Sequence, residues 1–337
     1  MGKLLSNSAA VAETLNPSPS LLQWPDPDPI HTPEAADPAT AAFAWAAVSG
    51  LDEQQRRRLE KIHARGVFWK NPRDAEAPGV AFRLEHGGDV EADGNCLFTA
   101  ARRAMGPKTA GARELRQRAV RRFLEDYGSA DGAAREAADV AIRHLYTPDL
   151  KAGWGIHVVQ EVKLLAKKAD REGLDAAIQE LVDLGLQREG AAESIYKERC
   201  IAINDGLSWA KYMSISGSLE DEYDIITLQY TEEGLLSIDE NRNGHAAAFG
   251  DDIAIESLAT EFRREVYVVQ AHGSDAMVDE NDCVFFLPHS PRVQICEPPI
   301  FLFMKGTGWC GAGADHYEPL IANPLPLISQ DKAAVVL

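Results

Sequence analysis

The residues best suited to covalent chemistry lie in Asp93-Gly94-Asn95-Cys96-Leu97-Phe98. An acidic residue and a glycine turn lead into a cysteine. An apolar run of helical character follows, through Leu97, Phe98, Ala100, Ala101, Ala104 and Met105. A cysteine on the first turn of a helix sits at the positive end of the macrodipole, among N–H groups that lack intrahelical partners. Both features favour the thiolate, which is the nucleophile. Gly94 gives the turn backbone angles closed to other residues. With Asn95 it forms a candidate oxyanion loop, because such a turn can aim free N–H groups at the oxygen of an attacked carbonyl. Asp93 either organises that loop, assists the cysteine electrostatically or simply caps the turn. The plainer alternative for a lone cysteine is a buried core residue.

The run resembles the cysteine signature of the ovarian tumour (OTU) family of deubiquitinating cysteine proteases, which reads Asp-Gly-Asn/Ser-Cys-Leu-Phe/Tyr. That family places its catalytic histidine in a His-Tyr/Trp pair at the head of its last strand. His316-Tyr317, in Asp315-His316-Tyr317-Glu318-Pro319-Leu320-Ile321, matches after a loop containing Gly306, Gly308, Gly311 and Gly313. The other histidines are His31, His63, His86, His144, His157, His245, His272 and His289. Of these, His245 and His289 are the fallbacks. The family often has Asn or Asp two residues after the histidine; here that place holds Glu318, one methylene longer than Asp. The resemblance spans roughly residues 80–321. It implies a papain-like α/β (α+β) fold, with a small central sheet flanked by helices. It further implies that Cys96 attacks the isopeptide carbonyl after the C-terminal Gly-Gly of ubiquitin or a similar modifier. His316 would draw the thiol proton and later protonate the leaving amine, and a third group, Glu318 or Asp93, would orient the imidazole. Ubiquitin or polyubiquitin conjugates are the implied partners, and neither a metal nor an organic cofactor is implied. The rival readings are a catalytically weak or inactive ubiquitin-binding module and another papain-like amidase or peptidase.

Composition is compatible with this. The chain has 337 residues, 45% of them hydrophobic, enough to bury a sizeable core. A net charge of −18 repels nucleic acid and anionic lipid overall. The five cysteines, Cys96, Cys200, Cys283, Cys296 and Cys310, are odd in number and form no C-x-x-C pair. They suggest neither a zinc site nor a disulfide framework, and a reducing cytoplasm fits best. No apolar run reaches membrane-spanning length. Met1-Gly2-Lys3-Leu4-Leu5-Ser6 matches the N-myristoylation pattern at Gly2, which would supply weak membrane attachment. An unmodified, disordered start fits those residues equally well.

The elements that must position the site are read in order. Residues 1–45 are rich in Pro, Ser, Ala and Asp and read as a disordered tail. Residues 46–79 form a helical lead-in, with a surface helix over 51–64. The catalytic domain spans 80–322 and residues 323–337 are a C-terminal tail. Residues 80–84 predict a strand before the cysteine turn. A helix over 112–127 packs Leu115, Ala119 and Phe123, and its Arg113, Arg116, Arg118, Arg121 and Arg122 read as a solvated face. Residues 131–205 read as a helical insertion, with helices over 133–145, 156–169 and 174–184, the last two separated near Gly173. The insertion is either structural padding or an arm that holds substrate. Residues 209–213 resemble the family's Tyr/Met helix. A hairpin over 224–230 and 235–238 follows, turning at Glu232-Glu233-Gly234. Phe249-Gly250-Asp251 resembles the family's step into a helix, with Asp251 as its N-cap. Strands are predicted at 266–270, 283–287 and 300–304, before the His316 strand.

Overall fold

The computed structural model describes residues 45, 48–74, 76–107, 109–152, 159–271, 284–305, 316–325 and 335–337. Gly2, Cys283, Cys310, His31, His157, His272 and the glycine-rich loop before His316 lie outside the described residues. So do residues 1–44 and with them most of the predicted tail.

The described residues are mixed α/β, with eight α-helices and two sheets. Helix α1 (Glu53–Arg65) opens with a capping box, in which Asp52 accepts from the Gln55 N–H and the Gln55 side chain accepts from the Asp52 N–H. Strands β1 (Val67–Trp69) and β2 (Val80–His86) follow. The lead-in is therefore not helical throughout: β1 joins the main sheet, and Trp45, Val48 and Leu51 are buried in the same apolar cluster as Leu59 and Val67. The predicted C-terminal tail contributes as well. Strand β11 (Val335–Val336) pairs in parallel with β1, Val67 opposite Val335.

Helices α2 (Cys96–Met105), α3 (Ala112–Ser129) and α4 (Gly132–Tyr146) come next, at or within a few residues of their expected positions. Within the predicted 156–169 helix, residues 160–167 depart from the helical reading. Gln160–Lys167 is strand β3, and its Val162 and Leu164 side chains are buried on one face. Helices α5 (Arg171–Asp183) and α6 (Arg188–Arg199) follow, and Gly173 lies inside α5 rather than at a break. Strand β4 (Ile201–Ala202), helix α7 (Gly206–Ser214), and the hairpin strands β5 (Tyr223–Thr231) and β6 (Gly234–Asp239) complete this part. They build a four-stranded antiparallel sheet, ordered β4-β3-β5-β6. The 131–205 segment is thus an α/β lobe completed by the predicted hairpin, not a purely helical insertion.

The last elements are helix α8 (Asp252–Phe262) and strands β7 (Val266–Ala271), β8 (Val284–His289), β9 (Ile300–Lys305) and β10 (His316–Pro324). The main sheet has seven strands, ordered β11-β1-β2-β10-β9-β7-β8, larger than the small sheet expected. Successive side chains on a strand point to opposite faces. On β10, Tyr317 joins the cluster formed with α2, α3, α7 and α8, whereas Leu320 joins the cluster under α1.

The lobe is continuous with the domain core. Leu174, Ile178, Ile195, Tyr196, Ile226 and Leu228 form its own cluster between the second sheet and α5–α6. From the same region Ile142, Tyr146, Leu165, Ile203 and Ile225 share a cluster with Cys96, Leu97 and Phe98. Of the two readings of the insertion, the structural one describes at least this inner face. No helix among the described residues is long and apolar enough to cross a membrane.

Candidate active site

The cysteine turn is built as a self-contained loop. Asp93 Oδ1 accepts the Asn95 N–H at 2.8 Å and Oδ2 faces Asn95 Nδ2 at 3.3 Å, so the exposed Asp93 acts as the turn's own cap. Gly94 has φ +83°. A Cβ there would lie 2.7 Å from the Ala247 carbonyl oxygen and 2.8 Å from Ala247 Cβ, so glycine is demanded by both conformation and space. Asn95 Nδ2 also donates to the Ser216 carbonyl at 3.0 Å. Both kinds of Asn95 donor are therefore engaged within the protein. The Cys96 N–H, at the first helical position, is a donor without an intrahelical acceptor and the better placed to face an oxyanion.

Beneath the turn lies Arg116, which the sequence reading assigns to a solvated face. Its side chain is fully buried. Nη2 donates to the Gly94 carbonyl at 3.0 Å, the Ala248 carbonyl at 2.8 Å and Asn95 Oδ1 at 2.9 Å; Nη1 donates to the Met213 carbonyl at 2.9 Å. The guanidinium also stacks 4.5 Å above the Phe98 ring. One cation thereby ties α2, α3, α7 and the loop before α8 to the cysteine turn. Burial is the main reason that its pKa falls, to about 10. Helical periodicity marks Leu115 and Ala119 as inward but says nothing of an adjacent arginine reaching for carbonyls.

The step into α8 is a second brace. Asp251 caps the helix by accepting the Ala254 N–H at 2.8 Å, as predicted. Its other oxygen accepts Trp209 Nε1–H at 2.9 Å and the Tyr146 hydroxyl at 2.5 Å. A Cβ on Gly250 would collide with Leu97, the residue after the cysteine, at 2.1 Å. The predicted landmarks thus converge on the cysteine helix.

Cys96 is 1% exposed. Burial pushes its thiol up from the ordinary value, opposite to the direction expected from the helix N-terminus alone. The backbone N–H groups of Tyr317 and Leu97 act to lower it, Asp93 adds to the rise and Arg116 opposes it, but burial is the largest influence. Cys96 and Tyr317 share one buried cluster, so the cysteine packs against β10 at the residue that follows His316.

On β10, His316 and Glu318 share the face opposite Tyr317. Glu318 is 1% exposed. Its Oε1 lies 3.7 Å from His316 Nε2 and accepts from Lys305 Nζ at 3.0 Å. Its Oε2 lies 2.7 Å from His86 Nε2. Burial alone would raise this carboxyl, yet the bonds from His86 and Lys305 outweigh it and hold Glu318 below its ordinary value. The structure therefore packs Cys96 against the strand that carries His316 and Glu318, with Cys96 and Tyr317 in one buried cluster and the His316–Glu318 pair on the other face. It places Asp93 in the turn, bonded to Asn95. His86 was not selected from sequence, because only strand pairing brings it to Glu318.

The fallback histidines stand apart from this arrangement. His245 is exposed, and His289 Nε2 lies 4.0 Å from Asp252, on β8. Among the described residues, His86, Asp89 and Glu318 bring ligand-type atoms within 4.8 Å of one another. Lys305 and His86 already occupy both oxygens of Glu318, which is the pattern of an ion-pair network rather than of a metal centre. No protein-family model matches the chain, and no curated protein matches it.

Proposed function

We propose that this protein is a thiol-dependent hydrolase of the deubiquitinase type, with a papain-like OTU arrangement. Cys96 is the nucleophile, His316 the base and Glu318 the group that orients the imidazole. The observation that carries the reading is the packing of Cys96 in one buried cluster with Tyr317, the neighbour of His316 on β10, with Glu318 on the same strand 3.7 Å from the imidazole. Attack by the sulfur on the isopeptide carbonyl would form a tetrahedral intermediate whose oxygen faces the start of α2, where the Cys96 N–H and the helix dipole favour negative charge. His316 would pass the thiol proton to the leaving amine, and water would then release the modifier from the sulfur. Ubiquitin or a ubiquitin-like modifier is the substrate class that goes with the cysteine motif.

The decisive reagent is ubiquitin carrying a C-terminal electrophile. Wild-type protein is expected to form a covalent adduct at Cys96, and Cys96→Ala is expected to remain folded and form none. An adduct at Cys200 or Cys296, or turnover retained by Cys96→Ala, would sink the assignment. A second reading, a ubiquitin-binding module without turnover, is favoured by the closed state of the site: the thiol is buried and pushed up. Saturable binding of unmodified ubiquitin with no adduct would select it. Cleavage of unrelated peptide amides without ubiquitin binding would select a different papain-like amidase.

A further inference from the structure

Three nitrogen-bearing side chains converge on the buried Glu318 carboxylate. The register of the main sheet explains how. His316 lies opposite Lys305 and Leu320 lies opposite His86, so all of these side chains belong to the face that carries Glu318. Lys305 and His316 address Oε1, at 3.0 and 3.7 Å; His86 addresses Oε2 at 2.7 Å. The His86 side chain is 8% exposed, and the Trp45 ring lies 5.8 Å from its centroid, so its orientation is restricted by packing. Among the described residues, Asp89 also lies close to the pair.

We propose that His86 is a positioning residue: by donating its Nε2–H to Glu318, it fixes the carboxylate so that Oε1 is presented to His316. This rests on the Cys96–His316 reading given above, and His86 acts in it only through Glu318. Without the bond to Oε2, the carboxylate keeps Lys305 but can turn about its last torsion, which is broad for a glutamate. The orientation of His316 would then be lost rather than substrate affinity. Such a misplacement costs turnover, while ground-state binding is spared.

The test uses the full chain, three substitutions of His86 and Glu318→Ala. His86→Leu removes the donor and keeps bulk. His86→Gln returns a donor near the Nε2 position, and His86→Asn is polar but too short. On a ubiquitin substrate with a fluorogenic C-terminal amide, His86→Leu and His86→Asn are expected to lower kcat about ten- to a hundredfold with KM within about twofold. His86→Gln is expected to recover most of the loss, and Glu318→Ala should make His86→Leu silent. An independent arm follows alkylation of the Cys96 peptide by a small reagent, read by mass spectrometry across pH. His86→Leu should shift the midpoint of that profile and His86→Gln should restore it. Unchanged kcat in His86→Leu, equal losses in Leu and Gln variants, or additive losses with Glu318→Ala would overturn the proposal. A shifted and Gln-restored alkylation profile in a protein that cleaves no ubiquitin would uphold the role of His86 while removing the deubiquitinase reading.

Discussion

Replacing Arg116 by Met tests whether the cysteine turn is held from below. The guanidinium supplies the Gly94, Met213 and Ala248 carbonyls and Asn95 Oδ1 with hydrogen bonds of 2.8–3.0 Å. Methionine fills much of the volume but donates nothing. Each buried acceptor left without a partner costs roughly 1–3 kcal/mol, so the four together cost about 8 kcal/mol. Part of this is offset, because the charge no longer has to be kept in a dry site. The fall of the guanidinium pKa to about 10 places that relief at roughly 3 kcal/mol. The expected loss is about 5 kcal/mol, comparable with the whole stability of many domains. Urea unfolding followed by tryptophan fluorescence measures it. Arg116→Lys keeps the charge but reaches fewer acceptors, so it should lose about half as much and remain measurable if the Met variant does not fold. Arg121→Met, on the exposed side of the same helix, should stay within about 0.5 kcal/mol of wild type. An Arg116→Met protein within about 1 kcal/mol of wild type would refute the argument that this arginine is the brace of the turn.

Two further expectations concern single groups. Gly94→Ala should cost about 3 kcal/mol, from a left-handed φ and a Cβ driven against Ala247, and should also abolish adduct formation with the ubiquitin probe; a stable, fully reactive variant would show that the turn adapts. The Glu318 carboxyl is depressed in the folded state, so its stabilisation is complete above its unfolded value of about 4.3 and disappears as pH falls through the lower folded value. Glu318→Gln should therefore flatten the acid limb of a plot of urea midpoint against pH, and an unaltered limb would contradict the ion-pair network.

Local signals in the sequence determined much of this protein. Gly94 before Cys96 predicts a tight turn into a helix because only glycine tolerates that φ, and the helix follows. The four-residue spacing of Leu115, Ala119 and Phe123 predicts α3, and Asp251 is recognised as an N-cap because its side chain needs only a neighbour three residues on. The runs at β7, β9 and β10 and the β5–β6 hairpin are legible for the same reason: each is a short apolar segment bounded by turn residues. The tertiary structure alone decided the rest. Residues 160–167 read as a helix when isolated, yet they form β3 because β5 lines them up along the whole strand, from Gln160 opposite Tyr230 to Lys167 opposite Tyr223. Arg116 reads as one of five solvent-facing arginines until three remote segments surround it with carbonyls. Glu318 acquires His86 from a strand far earlier in the chain, and no spacing rule reports a partner supplied by sheet register. The direction of the Cys96 thiol was hidden for the most general reason. A helix terminus is a property of neighbours in sequence, whereas desolvation is set by everything that closes over the sulfur, and here it is the larger effect.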